Sequence, residues 1–280
     1  MLPMSNIHPT ALIGNKAVLG TGNIIGPHVI VENGAVLGNH NKIGAGAYIC
    51  AGTILGNENE IHMHSVIGHA PQDLAYSGAE SFTKIGDRNQ IREFVTIHRG
   101  TMAESSTIIG NENYLMAYCH IAHNCTVGNK VIMVNQASLT GHITVEDQAF
   151  LSGMTGFHQF TRIGRLAMVS ALSAANKDIP PFMTAGGRPA VVLGVNVVGM
   201  RRAGIDSKTR DEIKQAYKWL YRSGLNVSQA LEIIKKELAS PEIKHLISFI
   251  EGSKRGIIDG ASEELQNSET LRPRKTYGTS

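Results

Sequence analysis

Aromatic residues are scarce in this chain. They make up 5% of its 280 positions, and tryptophan occurs once, at Trp219. An ordinary globular core draws much of its buried area from aromatic side chains, so a chain this poor in them needs a core of another kind. Long apolar runs are missing too: no segment approaches the ~18 residues that a membrane-spanning helix requires. Residues 1–6 lack the basic-then-apolar pattern of a secretory leader, which predicts a cytoplasmic protein. Cys50, Cys119 and Cys125 are odd in number and have no framework spacing, which points to free thiols in a reducing compartment. The net charge of +3 is mild. It permits an acidic partner and gives no argument for nucleic acid.

What the chain does have is glycine, 30 residues of it, and a regular aliphatic beat. Counting by six from Ile7 gives Ile13, Leu19, Ile25, Val31, Leu37, Ile43, Ile49, Leu55, Ile61 and Ile67. The same phase returns at Ile85, Ile91 and Ile97, and again from Ile109 through Val169. Between 7 and 175 the phase holds 29 positions, of which 23 are Ile, Leu or Val. Six matches neither the helical nor the strand period. It fits a short strand and a corner, repeated, with one aliphatic side chain per side pointing inward. Three sides make a coil of about 18 residues, stacked at the ~4.8 Å strand spacing. One coil cannot bury its own face, so many must stack. Glycine often follows the aliphatic, as at Gly14, Gly20, Gly26 and Gly38, where a corner is expected to want a small or φ-permissive residue.

Two stretches break the phase, 69–83 and 99–107, and read as loops thrown out of the coil, where a rigid solenoid carries function. The repeat ends at Asp178-Ile179-Pro180-Pro181. The reading is therefore a β-helix over 1–181, a glycine-rich connection over 182–198, a helical region over 199–255 and a polar, disordered tail over 256–280. Within the helical region Asp206 or Ser207 caps one helix, Ser228 a second, and Pro241 opens a third. These helices are expected to plug the open end of the coil stack.

The 18-residue spacing stacks Ile121, Leu139 and Phe157 on one wall. That brings His120, His123, His142 and His158 to one edge of three adjacent coils. Three readings compete there: general acid–base chemistry, for which a histidine is suited at neutral pH; a zinc site; or solvated surface imidazoles. His62, His64, His69 and His98, near the loops, are left open. Cys119 and Cys125 raise nucleophilic catalysis, against which small packed thiols are the plainer account.

The segment His120-Ile121-Ala122-His123-Asn124-Cys125 resembles the active-site motif of the acyl-carrier-protein–UDP-N-acetylglucosamine O-acyltransferases. Pro71-Gln72-Asp73-Leu74, Ile85-Gly86-Asp87-Arg88-Asn89, Thr96-Ile97-His98-Arg99-Gly100-Thr101, Leu139-Thr140-Gly141-His142, His158-Gln159-Phe160, Asp178-Ile179-Pro180-Pro181 and Gly194-Val195-Asn196 follow in the family's order. The resemblance covers roughly residues 5–255. It implies a mostly β protein: a left-handed parallel β-helix of hexapeptide repeats, a triangular prism, with a small C-terminal α-helical region. It also implies a homotrimer in the cytoplasm of a Gram-negative-type bacterium, with no membrane span and no nucleic acid. The implied reaction is the first step of lipid A biosynthesis: an (R)-3-hydroxyacyl chain passes from acyl carrier protein to the 3-hydroxyl of UDP-N-acetylglucosamine. No cofactor and no metal are expected.

Carried over by position, the resemblance implies His123 as general base and the Gly141 backbone N–H as oxyanion donor. Asp73, His120, His142, His158, Gln159, Asn196 and Arg202 match its residues for the UDP-sugar, and Ala171 its chain-length position. Three positions depart from the pattern. Ala75 stands where lysine is common, Asn124 where aspartate is common, and Val198 where glutamate is frequent. Asparagine orients a neighbouring imidazole without adding charge. Alternatives are the same reaction on a 3-amino sugar analogue, a γ-type carbonic anhydrase holding zinc, and a non-enzymatic solenoid. Arg162, Arg165, Arg201 and Arg202 are candidates to meet the acidic carrier protein.

Overall fold

The computed structural model describes residues 5–262. Twenty-six short strands wind from Asn6 to Ala175 as a left-handed parallel β-helix with three flat walls. The first wall starts at Asn6–Ile7, the second at Leu12–Ile13 and the third at Val18–Leu19. Each strand pairs in parallel with the strand one coil on, so Ile7 faces Ile25, Ile13 faces Val31 and Leu19 faces Leu37. Ile121, Leu139 and Phe157 stack on the second wall. Two coils are longer. Ile67 pairs with Ile97, 30 residues on, and Ile97 with Ile121, 24 residues on. Both insertions leave the prism at the corner between the second and third walls. They bond to each other there, Ser81 Oγ to Gly100 O at 2.6 Å and Glu104 N to Glu80 O at 2.9 Å.

Each side has a second inward position, two residues before the aliphatic one. It holds small side chains: Val29, Ala35, Cys119, Cys125, Ala137 and, on the first wall, asparagines. Asn23, Asn41, Asn59, Asn89 and Asn113 form a buried ladder. Each Oδ1 accepts the next residue's backbone N–H at 2.8–2.9 Å. A buried amide so satisfied is stabilising, whereas an orphaned one is costly.

The corners differ from the expectation in one respect. Except at Gly68, where the first loop leaves the coil, the left-handed residue is not the glycine after the aliphatic but the residue two further on: Gly22, His28, His40, Glu58, Arg88, Asn124. The earlier glycine is needed for closeness. A Cβ on Gly20 would sit 2.5 Å from Gly38 O. The left-handed side chains are tolerated because their backbones are fixed. His40 N donates to Thr21 O at 2.9 Å and Lys130 N to Asn111 O at 2.9 Å, one coil back.

The segment read as a bare connection is a hairpin. Strands Met183–Gly187 and Ala190–Val195 extend the first wall, the first in parallel and the second antiparallel. Among the described residues four helices follow: α1 (Val197–Arg202), α2 (Ser207–Tyr221), α3 (Val227–Glu237) and α4 (Pro241–Glu251). Asp206 caps α2. The α3 cap is Asn226 rather than Ser228, because Asn226 and Gln229 close a reciprocal capping box. The α4 helix packs against side chains of the third wall and its corner. There Arg162 covers the Phe249 ring at 4.0 Å and Glu146 meets His245 Nε2 at 2.8 Å. The chain expected to be a tail from 256 is packed through Ala261, since Ile257, Ile258 and Ala261 are buried and Asp178 bridges Ile257. Residues 263–280 of that tail lie outside the described residues.

Candidate active site

At the corner between the second and third walls, Asn124, His142 and Phe160 each take the left-handed conformation, with φ of 57°, 60° and 66°. His123 stands just before the first of them and is 4% exposed. Its Nδ1 lies 3.0 Å from Asn124 Oδ1. The same oxygen accepts the Thr101 backbone N–H at 3.1 Å and the Thr101 hydroxyl at 2.9 Å. A backbone N–H can only donate, so the Asn124 atom is the carbonyl oxygen, and His123 Nδ1 must carry the proton. The lone pair is then on Nε2. Asp73 Oδ2 lies 3.4 Å from that nitrogen, while Asp73 Oδ1 accepts from Ala75 N and holds the loop turn.

Gly141 packs against the same ring. A Cβ there would be 2.3 Å from His123 Cε1 and 2.5 Å from Nε2. The Gly141 N–H has no hydrogen-bond partner among the described residues. His142 stands edge-to-face with His123 at 5.3 Å and stacks on Phe160 at 4.7 Å. His120 Nδ1 is 2.7 Å from Thr96 Oγ1, and His98 stands edge-on to His120 at 4.8 Å. Burial first, then the His123 charge, holds both His120 and His142 below the usual imidazole range, with Asp73 opposing at His142. Two neutral-leaning rings and one carboxylate thus stand around a nitrogen that can take a proton.

The structure brings Asp73, His120, His123, Gly141 and His142 together. Among the described residues, no hydrogen bond or ring contact joins the other candidates to His123. His158 and Gln159 are exposed, with His158 Nδ1 3.1 Å from its neighbour's carbonyl. Asn196 caps α1 through Gly199 N and donates to Leu166 O. Arg202 is exposed in the last turn of α1, and Ala171 is exposed beyond the first wall. Arg162 is not a free surface cation: it covers Phe249, donates to Phe249 O and faces Asp178. Thr101 and Phe160 fall within segments that carry the resemblance, but neither has a role assigned from the sequence. Thr101 lies in the inserted loop, out of phase with the repeat, and nothing in its spacing marks it. Burial pushes the Cys119 and Cys125 thiols up to about 12, so neither is a thiolate near neutrality. Among the described residues, no group of His, Cys, Asp or Glu is arranged to hold a metal ion.

Comparison with known proteins places this geometry. Residues 178–258 match the model of the UDP-N-acetylglucosamine O-acyltransferase domain 2, and 34–69 and 106–141 match bacterial transferase hexapeptide repeats. An acyl-[acyl-carrier-protein]–UDP-N-acetylglucosamine O-acyltransferase of Janthinobacterium sp. is 51% identical over 261 residues, 91% of this chain and 100% of that protein. The chain belongs to that O-acyltransferase family. The namesake from Herminiimonas arsenicoxydans is 48% identical over the same shares. A solved UDP-N-acetylglucosamine acyltransferase from Bacteroides fragilis is 42% identical and superimposes with a TM-score of 0.83, over 92% of this chain and 99% of that one. One from Campylobacter jejuni is 35% identical with a TM-score of 0.86, over 91% of this chain and all of that one. The acyltransferase family sets aside the γ-type carbonic anhydrase and the non-enzymatic solenoid. Within the family frame, the departures Ala75 and Val198 are both exposed, and Asn124 is the one that touches His123.

Proposed function

We propose that this acyltransferase moves an (R)-3-hydroxyacyl chain from acyl carrier protein to the 3-hydroxyl of UDP-N-acetylglucosamine, the first step of lipid A biosynthesis. The observation that carries the reading is the His123 ring. Its Nδ1–H is tied to Asn124, and its Nε2 lies beside Asp73 Oδ2 and against Gly141. Nε2 takes the proton of the sugar hydroxyl as that oxygen attacks the thioester carbonyl. The oxyanion forms within reach of the Gly141 N–H. Collapse breaks the C–S bond, and the imidazolium returns its proton to the departing thiolate. A thioester needs no further activation, so the residues present suffice for each proton transfer.

Asp73, His120 and His142 would meet the sugar, and His158, Gln159, Asn196 and Arg202 the nucleotide, with Arg202 suited to the diphosphate. A groove lined by Gly156, Phe157, Ala174, Ala175, Arg188 and Pro189 begins at His158. Its small apolar floor suits an acyl chain, and Ala171 would bear on the chain length. Tyr118, Met154 and Leu172 are exposed along the corner between the first and second walls. That stripe supports a homotrimer. Arg201 and Arg202, both exposed, are suited to the acidic carrier protein. No described helix is long and apolar enough to cross a membrane, and we read the enzyme as cytoplasmic, of a Gram-negative-type bacterium.

The test is a mass-spectrometric transfer assay with a panel of 3-hydroxyacyl carrier proteins and either UDP-N-acetylglucosamine or its 3-amino analogue. The wild type should acylate the 3-hydroxyl, and His123→Ala should be slower by about 10²–10⁴-fold. Product from the amino acceptor alone would replace the hydroxyl reading with the amino one. Product at wild-type rate from His123→Ala would remove His123 as the base.

A further inference from the structure

The reaction above leaves one buried imidazole unused. His98 is 5% exposed and ends the strand Thr96–His98, in register opposite His69. Its ring stands edge-on to His120 at 4.8 Å and 77°, and 6.2 Å from His69. Its Nδ1 is buried and has no hydrogen-bond partner among the described residues. A buried polar atom left unpaired destabilises the fold. Phenylalanine would fill the space without that cost, so packing alone does not account for a histidine here.

His120 supplies the missing reason. One side of its ring is fixed by Thr96 Oγ1, 2.7 Å from Nδ1. The His98 ring meets it in a T-shaped contact. The arrangement recurs one coil on, where His142 and His123 pair edge-to-face at 5.3 Å and 85°. A neutral imidazole edge carries an N–H that can face the π-cloud of its neighbour, which a phenyl edge lacks. Burial and the surrounding His120, His69 and His123 hold His98 down to about 4, so at neutral pH the two rings meet without charge repulsion. The groups that face this pair are His69, His123 and the Thr96 hydroxyl.

We propose that His98 is a positioning residue for acceptor binding, fixing the plane and tautomer of the His120 ring that meets the UDP-sugar. This rests on the acceptor reading given above. The test compares full-length wild type with His98→Phe and His98→Ala by steady-state kinetics, thermal midpoint and ¹⁵N NMR of the histidine side chains. In both variants the KM for the sugar nucleotide should rise about tenfold, with kcat within about twofold. The His120 ring signals should change from one tautomer to a mixture. The thermal midpoint of His98→Phe should equal or exceed that of wild type, since the unpaired nitrogen is gone. An unchanged KM in His98→Phe overturns the proposal, whatever the midpoint does. If wild type makes no product with either acceptor, the acceptor reading fails on its own. The His120 signals then decide the ring contact, and signals identical in wild type and both variants overturn that as well.

Discussion

Two corners of the same prism have the same backbone and opposite uses. Between the second and third walls, the left-handed positions are Asn124, His142 and Phe160. Between the third and first walls they are Arg88, Glu112 and Lys130, with φ of 54°, 56° and 54°. The second set makes a solvated ladder: Arg88 to Glu112 at 3.3 Å and Lys130 to Glu112 at 3.6 Å, side chains about half exposed. The first set holds the buried His123 ring through Asn124, with His142 and Phe160 stacked and exposed at the rim. The repeat supplies equivalent geometry at both corners. The difference comes from the two inserted loops, which leave the coil only at the histidine corner and bring Asp73 and Thr101 over it. Coil regularity builds the frame, and broken regularity builds the site.

The sharpest way to break that contrast is to restore a side chain where the site excludes one. Gly141→Ala puts a Cβ 2.3 Å from His123 Cε1, and the ring must shift by close to an ångström. A displacement of that size costs about 10²-fold in rate. The loss should appear in kcat, with a thermal midpoint near that of wild type. A full-rate Gly141→Ala enzyme would mean that the ring position is not set by this contact.

The corners should also part in their response to acid. His98 holds a pKa of about 4 against an ordinary 6.5. Between those values the unfolded chain binds a proton that the folded chain refuses, so stability falls as pH drops from about 6.5 to about 4 and levels off below. The cost from His98 alone is on the order of 3 kcal/mol, and His120 and His142 shift in the same direction. Away from both corners, on the first wall, Glu60 is lowered too, by its Lys42 partner, but it is a carboxylate and partly solvated. Thermal melts from pH 7 to 4 should show the slope in wild type and in Glu60→Gln, and a flatter one in His98→Phe. An unflattened His98→Phe profile would place the proton uptake elsewhere.

Inside the prism the contrast disappears, because both corners rest on the same core. Asn59 accepts from Asn89 N and Nδ2 and donates to Asn41 Oδ1 and Gly86 O. Asn59→Ala leaves several buried partners unpaired and should cost about 2–3 kcal/mol by denaturant unfolding. Activity at low temperature should hold. A neutral substitution would show that the ladder is not a source of stability.

This ladder also marks what the sequence could disclose. The inward aliphatic every six residues is one residue class at one spacing, and it reads directly. The second inward position mixes Asn, Ala, Thr, Val and Cys, which share smallness rather than polarity, so no hydropathy beat exposes it. The histidine corner was legible in the same uneven way. His120, His123 and His142 lie within three residues of Ile121 or Leu139, which fall on the 18-residue spacing, and stacking brings them to one edge. Asp73 came from resemblance to a known motif, because insertions of unequal length hide its place. Thr101 and the buried state of His98 depend on how the two loops fold onto each other, which no periodicity encodes. Ser228 and Asn226 are both good capping residues, and only the Gln229 side chain selects between them.

The smallest effect belongs to the charged corner, and it tests whether that corner is as idle as it looks. Glu112 links Arg88 and Lys130, but all three side chains are about half in water, where ion pairs contribute roughly 0–1 kcal/mol and less at high salt. Its left-handed backbone costs an alanine somewhat more strain than a glycine. Glu112→Ala should therefore lower stability by less than about 1 kcal/mol, and Glu112→Gly should be milder still. Both should acylate at the wild-type rate, with the stability difference fading in high salt. A rate loss in either variant would mean that the charged corner also carries substrate or carrier protein, and that the two corners divide one function rather than separating function from scaffold.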